Sequence, residues 1–177
     1  MKLNLGSNTV RIAGYLNLDM RCAKGVDIID DVGCLCLIDA DSCDAIIAHN
    51  ILEHFAYDRT LDIVRLWVSK LSESGALTIG VPDASLIFAR YAAGQCTRAK
   101  YSGHPWQDLN HSIFGNMDSL RKWHGDDADK YGHHAAFCRD HLEWVMQHAG
   151  LSDIETVKPN HNDNVTLRGV RKTGGER

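Results

Sequence analysis

The sequence predicts one α/β domain whose mostly parallel sheet ends in an antiparallel hairpin. Three observations carry this. Short apolar strand patterns recur from the first residues, and several close on acids. Helical stretches alternate with them in the middle of the chain. Near the C-terminus two strand patterns, Ser152 to Val157 and Val165 to Val170, flank the turn-rich "KPNHNDN" with no helix between them.

Leu3 and Leu5 alternate with polar residues and form the first strand. Tyr15 to Asp19, "YLNLD", alternates again as the second, and Val26 to Asp30, "VDIID", is a short third. Cys43 to Asn50, "CDAIIAHN", is a nearly continuous apolar run that suits a strand buried on both faces. A helix follows, with Asp58 as N-cap, apolar residues Leu61, Val64, Val68 and Leu71, and Gly75 as its stop. Ala76 to Pro82, "ALTIGVP", is the fifth strand, stopped by proline. Ala84 to Ala93 reads as a helix ended by Gly94. Residues 94–132 lose all periodicity, apart from a short helix around Asp118 to Trp123. Their aromatics Tyr101, Trp106, Phe114 and Trp123 oppose disorder, so this stretch is read as a lid or acceptor insert. Arg139 to Ala149 is a clear helix, with Leu142, Val145 and Met146 on one face.

The chain of 177 residues fits a single domain over residues 1–172, followed by a loose tail, 173–177. A net charge of −4 argues against a nucleic-acid surface. Met1-Lys2 leads straight into the first strand with no signal-peptide stretch. No apolar run approaches the roughly 18 residues of a membrane span. The expected location is therefore cytoplasmic. The cysteines Cys22, Cys34, Cys36, Cys43, Cys96 and Cys138 form no C-x-x-C pair and read as reduced, buried thiols, with Cys34-x-Cys36 as a redox or metal pair the lesser alternative.

Doubly wound sheets bind ligands beyond the carboxyl ends of their strands. After the first strand come Gly6-Ser7-Asn8, a small turn that lets backbone N–H groups approach a ligand. Asp19 closes the second strand, where a carboxylate can accept from both hydroxyls of a ribose, and Met20 can pack on an adenine face. After the third are Asp30-Asp31-Val32, which offer a carboxylate to an adenine amino group and a backbone N–H to a ring nitrogen. His49-Asn50 and Glu53-His54 follow the fourth, and Asp83 follows the fifth. The spacing of His49, Glu53 and His54 does not match H-x-x-E-H, so no metal site is expected.

The segments "LNLGS", "GYLNLD", "VDIIDDV", "DAIIAHNILEHF" and "LWVSKLSESGALTIGVPD" together resemble the class I S-adenosylmethionine-dependent methyltransferases. More narrowly, they are similar to small bacterial predicted methyltransferases with an LGxG turn, an N-x-D strand, an LEH segment and a VPD segment, which often accompany cell-surface glycan genes. The similarity covers Lys2 to Asp83, and more loosely "GHHAAFCRDHLEWVMQHAGL". It implies a Rossmann-like fold with a shortened first crossover, and S-adenosylmethionine as cofactor. It also implies a small-molecule or glycan-type acceptor methylated at O or N, and it leaves a homodimer open. By position it places Gly6 and Ser7 against the methionine part, Asp19 on the ribose, Asp31 and Val32 at the adenine, and His49 and Asn50 near the sulfonium. It has Glu53 and His54 open the following helix. Where the family has a second glycine this chain has Asn8, a residue that tolerates left-handed backbone.

A hydroxyl acceptor needs a base, and histidine is the natural one near neutral pH. Candidates are His54, His133 and His134, with His104 and His111 in the insert; His141 and His148 read as helix-surface or packing groups. A non-catalytic binding protein on the same fold is the competing reading, favoured by the altered Gly6-Ser7-Asn8 turn. An NAD enzyme lacks its G-x-G-x-x-G turn here.

Overall fold

The computed structural model describes residues 1–95 and 105–172. Among them, seven strands form one sheet: β1 (Lys2–Leu5), β2 (Leu16–Asp19), β3 (Ile28–Ile29), β4 (Cys43–His49), β5 (Leu71–Pro82), β6 (Leu151–Thr156) and β7 (Asn164–Arg171). Their order is β3-β2-β1-β4-β5-β7-β6. The first five run parallel, β7 lies antiparallel to β5, and β6 antiparallel to β7. The expected mostly parallel sheet with a terminal hairpin is what forms. Helices are α1 (Thr60–Lys70), α2 (Ala84–Ala92), α3 (Pro105–Phe114), α4 (Met117–His124) and α5 (Arg139–His148). Among the described residues no helix is long and apolar enough to cross a membrane. His104, Cys96, Tyr101 and the tail 173–177 lie outside the described residues.

The link from β1 to β2 carries no helix, and neither do the next two. Parallel crossovers usually need one, because loop backbone laid over a sheet must find hydrogen-bond partners. Here two buried asparagines supply them. Asn4 Nδ2 donates to the Val10 carbonyl at 3.1 Å and to Asn17 Oδ1 at 3.0 Å. Asn17 Oδ1 also accepts from the Ile12 N–H at 3.4 Å. Asn17 in turn donates through both its backbone and side-chain nitrogens to Asp27 Oδ2, at 2.9 and 3.0 Å. Two strand side chains thus anchor the loops on either side of β2, and the fold dispenses with the helices.

The core joins Leu3, Leu5, Leu18, Ile46, Leu77 and Ile79 of the sheet to Val64 and Trp67 of α1 and to Leu142 and Val145 of α5. α1 and α5 pack against each other.

Several boundaries differ from expectation. Asp58 does not cap α1: residues Tyr57–Arg59 form a 3-10 turn, and Thr60 Oγ1 donates to the Tyr57 carbonyl at 2.9 Å. Gly75 is not the helix stop. Leu71 is already extended, fully buried and paired with Cys43, so β5 begins there and absorbs "SESG" as an irregularity before Ala76. A Cβ on Gly75 would stand 2.8 Å from the Cys43 carbonyl, which is why a glycine sits in that strand. The short helix expected around Asp118 to Trp123 forms as α4, but α3 occupies part of the stretch read as irregular. The break between them is Gly115 (φ 90), followed by Asn116, whose Oδ1 accepts from the Ser119 N–H at 3.1 Å. The thiol reading also needs correcting. Cys34 and Cys36 are joined by a disulfide, within a turn where both Cys34 and Leu35 N–H groups donate to the Asp31 carbonyl. Cys22 is exposed, and Cys43 is buried as expected.

Asp83 joins three elements. Its Oδ1 accepts from the Ser85 and Leu86 N–H groups at 3.0 and 3.3 Å, capping α2. Its own N–H donates to the Asp163 carbonyl at 2.8 Å, and it bridges to Phe137. Asp83→Ala should cost about 1 kcal/mol in chemical denaturation, and Asp83→Asn much less, because an asparagine oxygen caps nearly as well.

Candidate functional site at the carboxyl ends of the strands

Because β1 to β5 are parallel, Gly6, Asp19, Asp30, Asn50 and Asp83 emerge along one edge of the sheet. At β1 the chain turns through Gly6 (φ 61) and Asn8 (φ 49). A Cβ on Gly6 would lie 2.9 Å from the Ile51 side chain, so the position is closed to other residues by both conformation and space. Asn8 takes the left-handed backbone expected of it. The turn is tied to β2 twice: Ser7 N–H donates to the Leu18 carbonyl at 3.0 Å, and Asn8 N–H to Asp19 Oδ2 at 2.7 Å. Asp19 Oδ1 accepts from the Arg21 N–H at 3.0 Å and from Arg21 Nε at 3.3 Å. The carboxylate is only 5% exposed. Asp19 therefore shapes the turn as well as facing the edge.

Beyond β3 the loop organises itself with its own acids. Asp30 Oδ2 accepts from the Leu37 N–H at 2.8 Å, and Asp31 Oδ1 from the Gly33 N–H at 2.7 Å. Val32 is buried in the core, so it can meet a ligand only through its backbone. Its carbonyl accepts from Trp67 Nε1 at 2.8 Å, which fastens the loop to α1. Met20 stands exposed beside this loop, available to cover a flat ring.

Beyond β4, His49 is half-buried and burial pushes its imidazole pKa down. Asn50 (φ 55) is a hub. Its Oδ1 accepts from Asn160 Nδ2 and Asn164 Nδ2, both at 3.0 Å, and its Nδ2 donates to Glu53 Oε1 at 3.3 Å. Asn160 lies in the hairpin turn and Asn164 opens β7, a stretch whose sequence reads only as turn chemistry.

Glu53 and His54 do not open a helix. They sit in a separate 3-10 turn, Leu52–His54, ahead of the turn that leads into α1. The chain at 131–135 is stitched onto them. His54 Nδ1 donates to the Tyr131 and Gly132 carbonyls at 2.9 and 3.2 Å. The Glu53 carbonyl accepts from the His134 and Ala135 N–H groups at 2.8 and 3.2 Å. The rings of His54 and His133 meet edge to face, with centroids 5.0 Å apart. Glu53 is 1% exposed, and burial raises its carboxyl to about 7. Burial, then the neighbouring His54, lowers His133 to about 4; burial also lowers His54. The two imidazoles are therefore neutral at pH 7. His134 is exposed beside them. His111 lies in α3, while His141 stacks on Phe137 and His148 on Trp144. Pro82, Ile87, Ser112, Ile113 and Ala135 line a small cavity against His133.

The structure thus gathers Gly6, Ser7, Asp19, Asp31, His49, Asn50, His54, His133 and His134 along one edge.

No family model and no curated protein matches the chain. Solved structures do. A SAM-dependent methyltransferase from Thermotoga maritima, described as a possible histamine N-methyltransferase, is 15% identical, with a TM-score of 0.61 over 97% of this chain and 82% of that one. A SAM-dependent methyltransferase from Archaeoglobus fulgidus is 11% identical, with a TM-score of 0.57 over 96% of this chain and 85% of that one. The CurJ carbon methyltransferase is 12% identical, with a TM-score of 0.59 over 97% of this chain and 48% of that one. At such identities the likeness is one of fold: the chain has the Rossmann-like architecture of the methyltransferases it is similar to.

Proposed function

We propose that this chain is an S-adenosylmethionine-dependent methyltransferase acting on a small-molecule or glycan-type acceptor at oxygen or nitrogen. The glycan class rests on the sequence resemblance. One observation carries the cofactor reading: the buried Asp19 carboxylate at the end of β2 is clamped to the left-handed Gly6-Ser7-Asn8 turn at the end of β1. That pairing puts an acceptor for ribose hydroxyls beside a backbone cradle for the methionine part. Asp19 has room for both tasks. A carboxylate offers about four lone-pair sites, and the Arg21 side chain, 44% exposed, is the group a ribose would displace. Met20 and the Asp31-Val32 loop then flank the adenine, and His49 and Asn50 face the sulfonium.

In the reaction the methyl carbon leaves sulfur as its bond to the acceptor forms in line, and S-adenosylhomocysteine departs. The acceptor's proton passes to His54, His133 or His134, the first two being held neutral by burial. The test is calorimetric titration with S-adenosylmethionine and S-adenosylhomocysteine. Binding of both is expected; a folded protein that binds neither overturns the reading. Release of S-adenosylhomocysteine across an acceptor panel then separates an enzyme from a non-catalytic binding protein.

A further inference from the structure

We infer that Glu53, His54 and His133 form a binding site for one divalent transition-metal ion, with zinc(II) as the natural occupant and one coordination position left open. The ligand atoms of the three residues lie within 4.8 Å of one another. They come from two distant parts of the chain, the turn after β4 and the segment before α5, which the Glu53 carbonyl and the His54 ring hold together.

Hydrogen-bond bookkeeping carries the inference. His54 donates its Nδ1–H to the carbonyls of Tyr131 and Gly132, which puts the ring's lone pair on Nε2, and the Asn50 carbonyl also lies near the ring. The backbone carbonyls of Ile113 and Ser112 lie beside the His133 imidazole, so one ring nitrogen can donate to them while the other keeps its lone pair. Glu53 Oε1 takes one bond from Asn50, and Oε2 is fully buried with no partner among the described residues. Two imidazoles and a carboxylate oxygen that the Asn50 amide does not reach therefore lie close together. An unsatisfied buried acceptor such as Glu53 Oε2 is costly, and a cation shared with the two imidazoles would satisfy it. The His54 imidazole also has backing of the kind metal ligands have, its Nδ1–H being held by two backbone carbonyls.

The donor set selects the ion. Two imidazoles and one carboxylate suit zinc, iron(II) or manganese(II), whereas magnesium and calcium prefer oxygen ligands throughout. Ligands around zinc lie at about 2.0–2.1 Å from the ion, so side-chain shifts of about an ångström close the set. Three protein ligands leave a fourth position, as in catalytic rather than structural zinc sites. If the methyltransferase reading holds, and this step rests on it, an acceptor hydroxyl takes that position. Coordination lowers the hydroxyl's pKa, and its proton leaves to His134 or solvent. The oxygen then attacks the methyl carbon as the carbon–sulfur bond breaks.

The experiment strips the full-length protein with EDTA and titrates it with Zn²⁺ and, for its visible absorption, with Co²⁺, without S-adenosylmethionine. Wild type should bind one equivalent and gain thermal stability. Glu53→Gln and His133→Gln should each weaken binding about 100-fold or more, while His148→Gln leaves it unchanged. Circular dichroism checks that each variant is folded, and either of the two ligand variants suffices if the other is not. A folded wild type that binds no metal overturns the inference and leaves a proton on Glu53 as what satisfies the cluster. Binding that survives both ligand variants places the ion elsewhere and overturns it equally. Calorimetry with S-adenosylmethionine on the stripped protein keeps this outcome distinct from failure of the cofactor reading.

Discussion

Asp19→Ala should bind S-adenosylmethionine about 100-fold more weakly than wild type, a loss of about 2.7 kcal/mol. Two effects add. The carboxylate would accept from the ribose hydroxyls, and charge-assisted bonds of that kind are worth about 1.5–3 kcal/mol. It also holds the Asn8 N–H at 2.7 Å, so its loss releases the turn that cradles the methionine part. Asp19→Asn separates the two effects. An amide oxygen of the same shape can keep one of them but lacks the charge, so a loss of about tenfold is expected. Asn8→Gly is the control: glycine accepts the same left-handed backbone, and affinity should stay within about twofold. Calorimetry well below each variant's melting point measures all three. Equal affinity in Asp19→Ala and wild type would mean that the cofactor, if bound, sits elsewhere.

What the sequence revealed and what it concealed divide along a physical line. Strand ends are local signals, so Gly6, Asp19, Asp31 and Asn50 could be placed on one edge from their order alone. The left-handed Asn8 was legible too, because few residue types tolerate that conformation. Asn4 and Asn17 were not. In an alternating strand a polar residue reads as facing water, yet these two are 4% and 0% exposed and replace the missing crossover helices. Periodicity cannot say that a buried polar side chain is satisfied by a neighbouring loop. Helix α3 was hidden although Trp106, Leu109 and Ile113 fall at helical spacing, because Gly103 and Pro105 before it and Gly115 after it read as punctuation. The Glu53, His54 and His133 cluster was least visible. Its members were each singled out, but only the backbone bonds between residues 53–54 and 131–135 bring them together. No local pattern encodes that contact.

Trp67→Ala should destabilise the domain by about 3–5 kcal/mol, a large share of the 5–15 kcal/mol that holds a typical domain folded. Trp67 is fully buried in α1 and meets Phe55 edge to face at 6.4 Å. Its removal opens a cavity between α1 and the loop beyond β3. At about 2–4 °C per kcal/mol for a chain of this size, the melting point should fall by about 10 °C. Trp67→Phe is the informative partner. It keeps most of the ring but removes the Nε1–H, leaving the Val32 carbonyl without its 2.8 Å bond. An unpaired buried carbonyl costs about 1–3 kcal/mol, so Trp67→Phe should be folded at 25 °C and modestly destabilised. Its second effect distinguishes scaffold from site. The same bond fixes the loop that carries Asp31 and Val32, so this variant should also bind S-adenosylmethionine severalfold more weakly while its Asp19 is untouched. Loss of stability with unchanged cofactor affinity would show that the loop beyond β3 does not meet the adenine, and would confine the cofactor site to the ends of β1, β2 and β4.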